Sequence, residues 1–574
     1  MINPLIVEIF DDIALLLELQ DDNPFRIRAY RRASLNVQAL SEDLTQIAER
    51  GELQSIPGIG VDLANKIKEY IATGKVKFYE ELRKKTPAFL LEMLDIPGVG
   101  PKTAKAIFEK LKPKNLKELE AMGRAGKIRK LPGMKEKTEQ NILEGILLLQ
   151  KHRGRTLLGK ALPLARELVS QLSGFKGVNG ISYAGSTRRM CETIRDIDIL
   201  IASAASAPIM DAFVRRKDVW KVLAHGHTKS SVVMKEGLQV DLRVVDKDCF
   251  GAALLYFTGS KAHNIQLRSL AKKRGYKINE YGLFSVKSNK RIAGRTEEEM
   301  YKALGLSYIP PELREDQGEI DAAAHGKLPR LVEKKDIKGD FHMHSKWSDG
   351  ANEIEEMVAS AKKRGLKHVV LTDHSQSLKI ANGLSPKRLL QQIEIVRKLN
   401  KKLSGITLLA GSEVDILSDG SLDFEDDLLK KLDFVVASVH SGFKQSKEQI
   451  TRRIVKAMQN KYVRLIGHPT GRLLGERNAY EVDFDAVFKA ARETNTALEI
   501  NSYPQRLDLN YTYARRAHEM GVMLAIDTDS HTHDQFDNLE YGVATARRAW
   551  CAKENILNCL DLPELKKRIA KQKS

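Results

Sequence analysis

The chain has 574 residues, with 94 Lys+Arg against 75 Asp+Glu and a formal net charge of +19; that length is too great for one core and predicts roughly three to four folded units. The four cysteines (Cys191, Cys249, Cys551, Cys559) form no Cys-x-x-Cys pair, the apolar N-terminus is acidic (Glu8, Asp11, Asp12), and no apolar run is long enough to span a bilayer. The expectation is therefore reduced thiols in the cytoplasm, no secretory signal and no membrane partner, which excludes a disulfide-stapled scaffold and a membrane anchor.

The charge is localised. Residues 101–300 hold 39 Lys+Arg against 20 Asp+Glu, a net of +19, so the remainder of the chain sums to zero. A surplus confined to one span marks a polyanion-binding surface, and its binding should weaken strongly with salt.

Near the N-terminus two near-copies occur, Ile-Pro-Gly-Ile-Gly at 56–60 and Ile-Pro-Gly-Val-Gly at 96–100, each followed by a helical, lysine-containing stretch. Both resemble helix-hairpin-helix motifs, in which Gly58 and Gly60, and Gly98 and Gly100, allow a tight turn and close backbone approach to DNA phosphates. A third copy, Leu-Pro-Gly-Met at 131–134, has Lys135 in place of the second glycine and is expected to be structural.

Next comes Gly185-Ser-Thr-Arg-Arg, followed by an apolar run carrying Asp196 and Asp198. Strand side chains alternate faces, so the two aspartates share one face while Ile197 and Ile199 enter a core. A second alternating segment, 238–245, offers Asp241 opposite Val240 and Leu242. Three carboxylates on adjacent strands suit two divalent cations about 3.5 to 4 Å apart, clamping an in-line phosphoryl displacement. The Gly185-Ser186 turn brings backbone N–H groups toward a triphosphate, with Arg188 or Arg189 to neutralise it.

These motifs, with Tyr-Phe-Thr-Gly-Ser-Lys-Ala-His-Asn-Ile-Gln-Leu-Arg at 256–268 and Pro-Pro-Glu-Leu-Arg-Glu at 310–315, resemble the family X DNA polymerases. The resemblance implies that Asp196 and Asp198 bind both metals (Mg2+ or Mn2+) and that Asp241 binds the catalytic one and helps activate the primer 3′-hydroxyl. It implies that Ser186 and Arg189 grip the incoming dNTP and that Tyr256 and Phe257 exclude a ribose 2′-hydroxyl. Asn264 and Arg268 would lie against the base and template minor groove, with Gly259 in the same nucleotide-binding segment. The 310–315 stretch corresponds to a closing strand region, and Lys261 stands where polymerase beta carries an acidic residue. In the segment from Asn23 to Lys75, Lys66 falls where polymerase beta has its Schiff-base lysine, so it is either a lyase nucleophile or a phosphate contact; Asp62 stands where a basic neighbour is expected.

After a charged linker, apolar runs recur, each ending in a potential metal ligand: His342 and His344, then His374, Glu413, His440, His468, and Asp529 with His531. Strands alternating with helices predict a parallel barrel with its chemistry at the strand C-termini. With Asp349, this set resembles the polymerase and histidinol phosphatase (PHP) domain. The resemblance implies one ion on His342, His344, Glu413 and Asp529, a second on Glu413, His440 and His468, and a third on Asp349, His374 and His531. Imidazole and carboxylate without thiolate suit Zn2+, Mn2+ or Fe2+. Arg472 and Arg506 are either phosphate clamps or surface arginines.

The expected architecture is multidomain, α+β and α/β. It comprises a helical DNA-end-binding domain (1–85), a second helix-hairpin-helix region (86–150), a mixed α/β nucleotidyltransferase palm (151–252), a nucleotide-selecting subdomain (253–318), a linker (319–338) and a distorted (β/α)7 PHP barrel (339–574). The expected function is gap-filling DNA repair synthesis on gapped or nicked double-stranded DNA by a monomer. Phosphoester hydrolysis at 3′ ends (3′-5′ exonuclease or 3′ phosphatase) and abasic-site cleavage would accompany it. The alternatives are a barrel acting on small phosphomonoesters or serving only a structural role, and a non-catalytic DNA-binding scaffold.

Overall fold

A computed structural model describes residues 2–38, 43–94, 96, 99–151, 155–474 and 477–571. The N-terminal part is helical and has two apolar cores. Ile6, Phe10, Ile13, Tyr30 and Ile67 belong to the first; Phe89, Met93, Ile107, Leu119 and Ile146 belong to the second. The three hairpin copies share one turn, in which Ile59 N–H donates to Ile56 O, Val99 to Ile96 O and Met134 to Leu131 O. Gly58 has φ +82°, and a β-carbon there would press on Asn36 and Arg32. The third copy keeps the turn although Lys135 replaces its second glycine. Gly60 and Gly100 cap the helices Val61–Thr73 and Pro101–Leu111 with open space around them. Gly98 lies outside the described residues.

The palm is a five-stranded mixed sheet in the order Val178–Tyr183, Asp196–Ser203, Gln239–Val245, Lys229–Met234, Val219–His225. Only the central pair is parallel, and its register sets Asp198 beside Asp241. Helices Leu158–Ser173 and Ser206–Val214 contribute Leu162, Leu168, Ile209 and Phe213 to the core under the sheet, against Ile197, Ile199 and Leu242. Alternation accounts for this: one face of each strand is aliphatic and packs, leaving the aspartates on the other.

Helices Phe250–Thr258 and Lys261–Lys273 follow, with a three-stranded antiparallel sheet (Tyr276–Asn279, Gly282–Ser285, Arg291–Ala293). The 310–315 stretch is not a strand. It forms a 3-10 turn, Pro311–Leu313, because two successive prolines have no N–H for a ladder. The span read as a linker, 319–338, is packed: helix Glu319–Ala324 buries Glu319 against His263, and Leu331, Val332 and Ile337 are buried as well.

Among the described residues, seven parallel strands form the last domain in sequence order, Gly339–Met343, His368–Leu371, Thr407–Asp415, Phe434–Ser438, Val463–Ile466, Ala497–Asn501 and Leu524–Asp527. The first and last meet: Phe341 N–H donates to Asp527, and His344 N–H to Ser530 O. The result is a nearly closed (β/α)7 barrel whose inner and outer layers bury Phe341, Val370, Phe434 and Leu465 in one cluster and Met343, Leu371, Ile454 and Phe488 in another.

Barrel and palm share a wall. Leu507 and Tyr541 of the barrel domain belong to the palm core. A β-carbon on Gly159 would come within 2.6 Å of Pro504, and Arg166 forms a two-point pair with Glu540.

Candidate active sites

In the palm, the Gly185-Ser186 turn is the start of a one-turn helix, Gly185–Arg188. It has φ +60°, and a β-carbon there would sit 2.5 Å from Asp198 Oδ2. Glycine thus lets the backbone touch the carboxylate face. Asp198 has its pKa raised to about 7 by burial, and by the negative charges of Asp196 and Asp241. Asp241 is also raised by burial, but hydrogen bonds from Gln239, Lys229 and Ser231 outweigh that and hold it below its ordinary value; Lys229 Nζ is 3.1 Å away. Three mutually repelling carboxylates with one lysine among them form a donor set that fits divalent cations. Among the described residues, three or more ligand atoms within 4.8 Å of one another occur in the barrel, not here; Asp241 is drawn to Lys229.

The two arginines divide their work. Arg188 grips buried Glu297 bidentately and donates to Thr258 Oγ1 at 2.7 Å, so it is taken up in the structure. Arg189 reaches Glu315 Oε1 (3.0 Å) and Thr258 O (2.6 Å) at the edge of the nucleotide segment. Ser186 is half-buried on the same turn. Tyr256 and Phe257 meet edge to face at 5.1 Å, and Tyr256 is 39% exposed. Asn264 donates to Tyr256 O at 2.7 Å, and Arg268 leans back on Asn264 O. Gly259, with φ +67°, joins the two helices through a cis peptide to Ser260.

Lys66 is buried, 2.5 Å from Asp62 Oδ1, with its ammonium 5.1 Å from the Phe78 ring centre. The acidic neighbour noted in the sequence is therefore its direct partner.

In the barrel, all nine sequence-derived ligand positions gather at the C-terminal rim. Glu413 is central: Oε1 lies 2.9 Å from His468 Nε2 and 3.3 Å from His440 Nε2, while Oε2 lies 2.9 Å from His374 Nδ1 and 3.2 Å from His342 Nε2. Asp529 Oδ1 is 3.2 Å from His344 Nε2, and Asp349 faces His374 and His531 at 3.5 and 3.4 Å. Four tight sets result: His342 with Glu413 and His468; His342 with His344 and Asp529; His374 with Glu413 and His440; and Asp349 with His344, His374 and His531. They overlap the expected groups, with His342, His344, His374 and Glu413 each shared between two.

Whether these residues fit metal ions is decided by their buried nitrogens. His342 Nε2, both nitrogens of His344, His374 Nδ1 and Glu413 Oε1 are buried without a hydrogen bond. Buried polar atoms normally find partners, and ligand atoms converging without hydrogen-bond geometry are what cations would satisfy. Burial, with His531 and His374 beside it, pushes His344 down to about 3, whereas the carboxylates Glu413, Asp349, Asp415 and Asp529 outweigh burial and hold His342, His374, His440 and His531 above their ordinary value, so a cation binding there would displace protons.

Several functional residues were not anticipated. Glu499 receives His342 Nδ1 at 2.7 Å, Asp415 receives His440 Nδ1, and Asn501 holds Asp529 at 3.1 Å; such partners fix a ligand's tautomer and direction. Glu499 and Asn501 end the strand Ala497–Asn501, whose short apolar alternation was the available signal. Arg506 Nε is 3.5 Å from Asp529 Oδ2, at the site. Arg472 is neither a clamp on the metal rim nor a free surface arginine: it is spent on Glu192 of the palm and on carbonyls of Arg506 and Leu507.

Family models match this chain in four places: a helix-hairpin-helix domain at residues 1–76, a SAM-like helix-hairpin-helix tandem at 90–146, a DNA polymerase beta thumb at 253–315 and a PHP domain at 340–503. Fold and sites define the class as a polymerase beta-like nucleotidyltransferase joined to a PHP domain. Over 562 residues the chain is 40% identical to the DNA polymerase/3'-5' exonuclease PolX of Bacillus subtilis (strain 168), covering 98% of each chain. It belongs to the PolX family. Shorter relatives include a probable phosphatase of Thermoanaerobacter sp. (strain X514), 30% identical over 245 residues, 41% of this chain and 95% of that one. Another is a probable phosphatase of Caldicellulosiruptor bescii, 34% identical over 204 residues, 34% and 80% of the respective chains. Among the described residues, no helix is long and apolar enough to cross a membrane.

Proposed function

We propose that this chain fills short gaps in DNA and prepares the 3′ ends it extends, using two separate sites. The carrying observation is that Gly185 backs directly onto Asp198 in the palm while nine metal-ligand side chains meet at the barrel rim of the same chain, in a protein 40% identical along almost its whole length to a PolX polymerase/exonuclease. In the palm, Asp196, Asp198 and Asp241 hold two divalent cations, Ser186 and Arg189 take the triphosphate, and Tyr256 and Phe257 wall the sugar. In the barrel, His342, His344, Asp349, His374, Glu413, His440, His468, Asp529 and His531 hold up to three ions, and Arg506 stands ready for a phosphate oxygen. Bound cations supply charge neutralisation and an activated oxygen nucleophile. Glu499 and Asp415 orient the imidazoles, and the hairpin glycines Gly58, Gly60 and Gly100 present backbone N–H groups to the DNA phosphates.

Two point variants test this. Asp196→Ala should abolish primer extension on gapped DNA yet retain 3′-end hydrolysis, and His342→Ala should do the reverse. Loss of both activities in either variant would refute independent sites.

The shorter relatives are named probable phosphatases, which supports phosphate removal by the barrel; a second reading makes its substrates small monoesters rather than DNA ends. Rates on a 3′-phosphorylated DNA terminus against a free sugar phosphate separate the two.

A further inference from the structure

The stretch 189–192 of the palm is gripped by the barrel domain. Arg548, at the end of helix Leu539–Arg548, is 5% exposed and donates to the backbone carbonyl of Arg189 at 2.6 Å. The same nitrogen lies 3.0 Å from Glu315 Oε1, the oxygen that also receives Arg189 Nε at 3.0 Å. One carboxylate oxygen therefore joins an arginine from each domain. Three residues along, Glu192 takes both terminal nitrogens of Arg472 at 2.7 and 3.0 Å.

Interdomain adhesion alone would be served by ion pairs anywhere on this wall, as with Arg166 and Glu540. Arg548 instead binds the main chain of the arginine that faces the triphosphate and the carboxylate that competes for its side chain. Glu315 is buried to 18% side-chain exposure. If Arg189 were its sole cation, the arginine could not leave for a phosphate without stranding a largely buried charge, which is unfavourable. With Arg548 in place, Glu315 stays neutralised when Arg189 lets go.

We propose that Arg548, assisted by Arg472, is a positioning residue for nucleotide binding: it anchors the backbone at 189–192 and releases the Arg189 guanidinium from Glu315 to the incoming triphosphate. Arg548 touches no substrate. The inference rests on the reading of Arg189 as a nucleotide-gripping residue.

The test is single-nucleotide insertion by the full chain on gapped DNA with Mg2+, measuring KM for dNTP and kcat separately, with 3′-end hydrolysis and melting temperature as controls. Arg548→Met should raise KM by about tenfold, the factor that goes with a lost charge-assisted hydrogen bond, with kcat little changed and 3′ hydrolysis intact. Adding Glu315→Gln should bring KM back toward wild type, because Arg189 then has no buried anion to hold it. An unchanged KM in an Arg548→Met chain that still melts near wild type overturns the proposal, and so does failure of Glu315→Gln to restore it. Should Arg548→Met not fold, Arg472→Gln carries the same KM measurement. If Arg189→Gln raises KM while Arg548→Met does not, only this inference falls; if Arg189→Gln has no effect, the role of Arg189 falls with it.

Discussion

Gly185 and Asp198 are in such close approach that the missing β-carbon of one would stand 2.5 Å from a carboxylate oxygen of the other. The backbone proposed to meet the nucleotide and the carboxylate proposed to hold the metal are thereby in direct contact, and one cannot shift without the other.

Replacing Gly185 with alanine sets a β-carbon against that oxygen at a positive φ that alanine resists. Displacing reacting groups by about 1 Å costs about a hundredfold in rate, so Gly185→Ala should lose about that much kcat/KM in primer extension. Hydrolysis at the 3′ end should be unaffected, and a steady-state comparison of the two activities checks this.

Glu297 is buried and held by Arg188 and Arg314. Burial works to raise its pKa, but the two guanidiniums prevail and draw it down to about 2 from 4.5. A carboxylate depressed in the folded state contributes stability that is complete above about pH 4.5 and is lost as pH falls toward 2. Glu297→Gln should cost about 3 to 5 kcal/mol at neutral pH, because it strands the buried Arg314 and the partly buried Arg188. In denaturant melts, the gap between wild type and variant should close across that acid window; a gap constant with pH would contradict the ion-pair account.

Glu413 places one oxygen between His440 and His468 and the other among His342, His344 and His374. Glu413→Gln should therefore lower bound-metal content more than His531→Ala does, since His531 belongs to one ligand set. Elemental analysis of the purified variants reads this directly. Chelation should abolish 3′ hydrolysis, with recovery on adding Mn2+.

DNA binding should fall steeply with salt, log Kd rising linearly with log salt concentration at a slope set by the number of phosphates neutralised. Titration of gapped DNA from low to moderate salt measures it. A flat response would disprove a polyanion surface built from the +19 surplus at 101–300.

Lys66 is buried and paired with Asp62, which counts against its acting as a free Schiff-base nucleophile. Borohydride trapping on an abasic substrate should be the same in Lys66→Ala as in wild type, while affinity for a 5′-phosphorylated gap should drop by a few-fold. Selective loss of trapping would reinstate the nucleophile.

What could be seen in the sequence was periodic and local. Two-residue alternation put Asp196, Asp198 and Asp241 on one face, and runs of valine and leucine ending in histidine marked the barrel rim. The strand Ala497–Asn501 escaped because it ends in glutamate and asparagine, which carry no metal signature when read alone. Arg472 with Glu192 and Arg548 with Glu315 were out of reach: 280 and 233 residues separate the partners, and an isolated arginine looks the same whether it meets solvent or a distant carboxylate. The family resemblance implied a closing strand at 310–315, but Pro310 and Pro311 lack the N–H groups a ladder needs, and the 3-10 turn there is the outcome their chemistry favours.

Tyr541 and Leu507 fill the palm core from the barrel side, so the barrel wall is part of what covers the apolar underside of the palm sheet. Losing every histidine of the rim would forfeit hydrolysis and leave this wall intact, whereas removing the barrel would bare the palm residues that Leu507, Tyr541 and Pro504 cover.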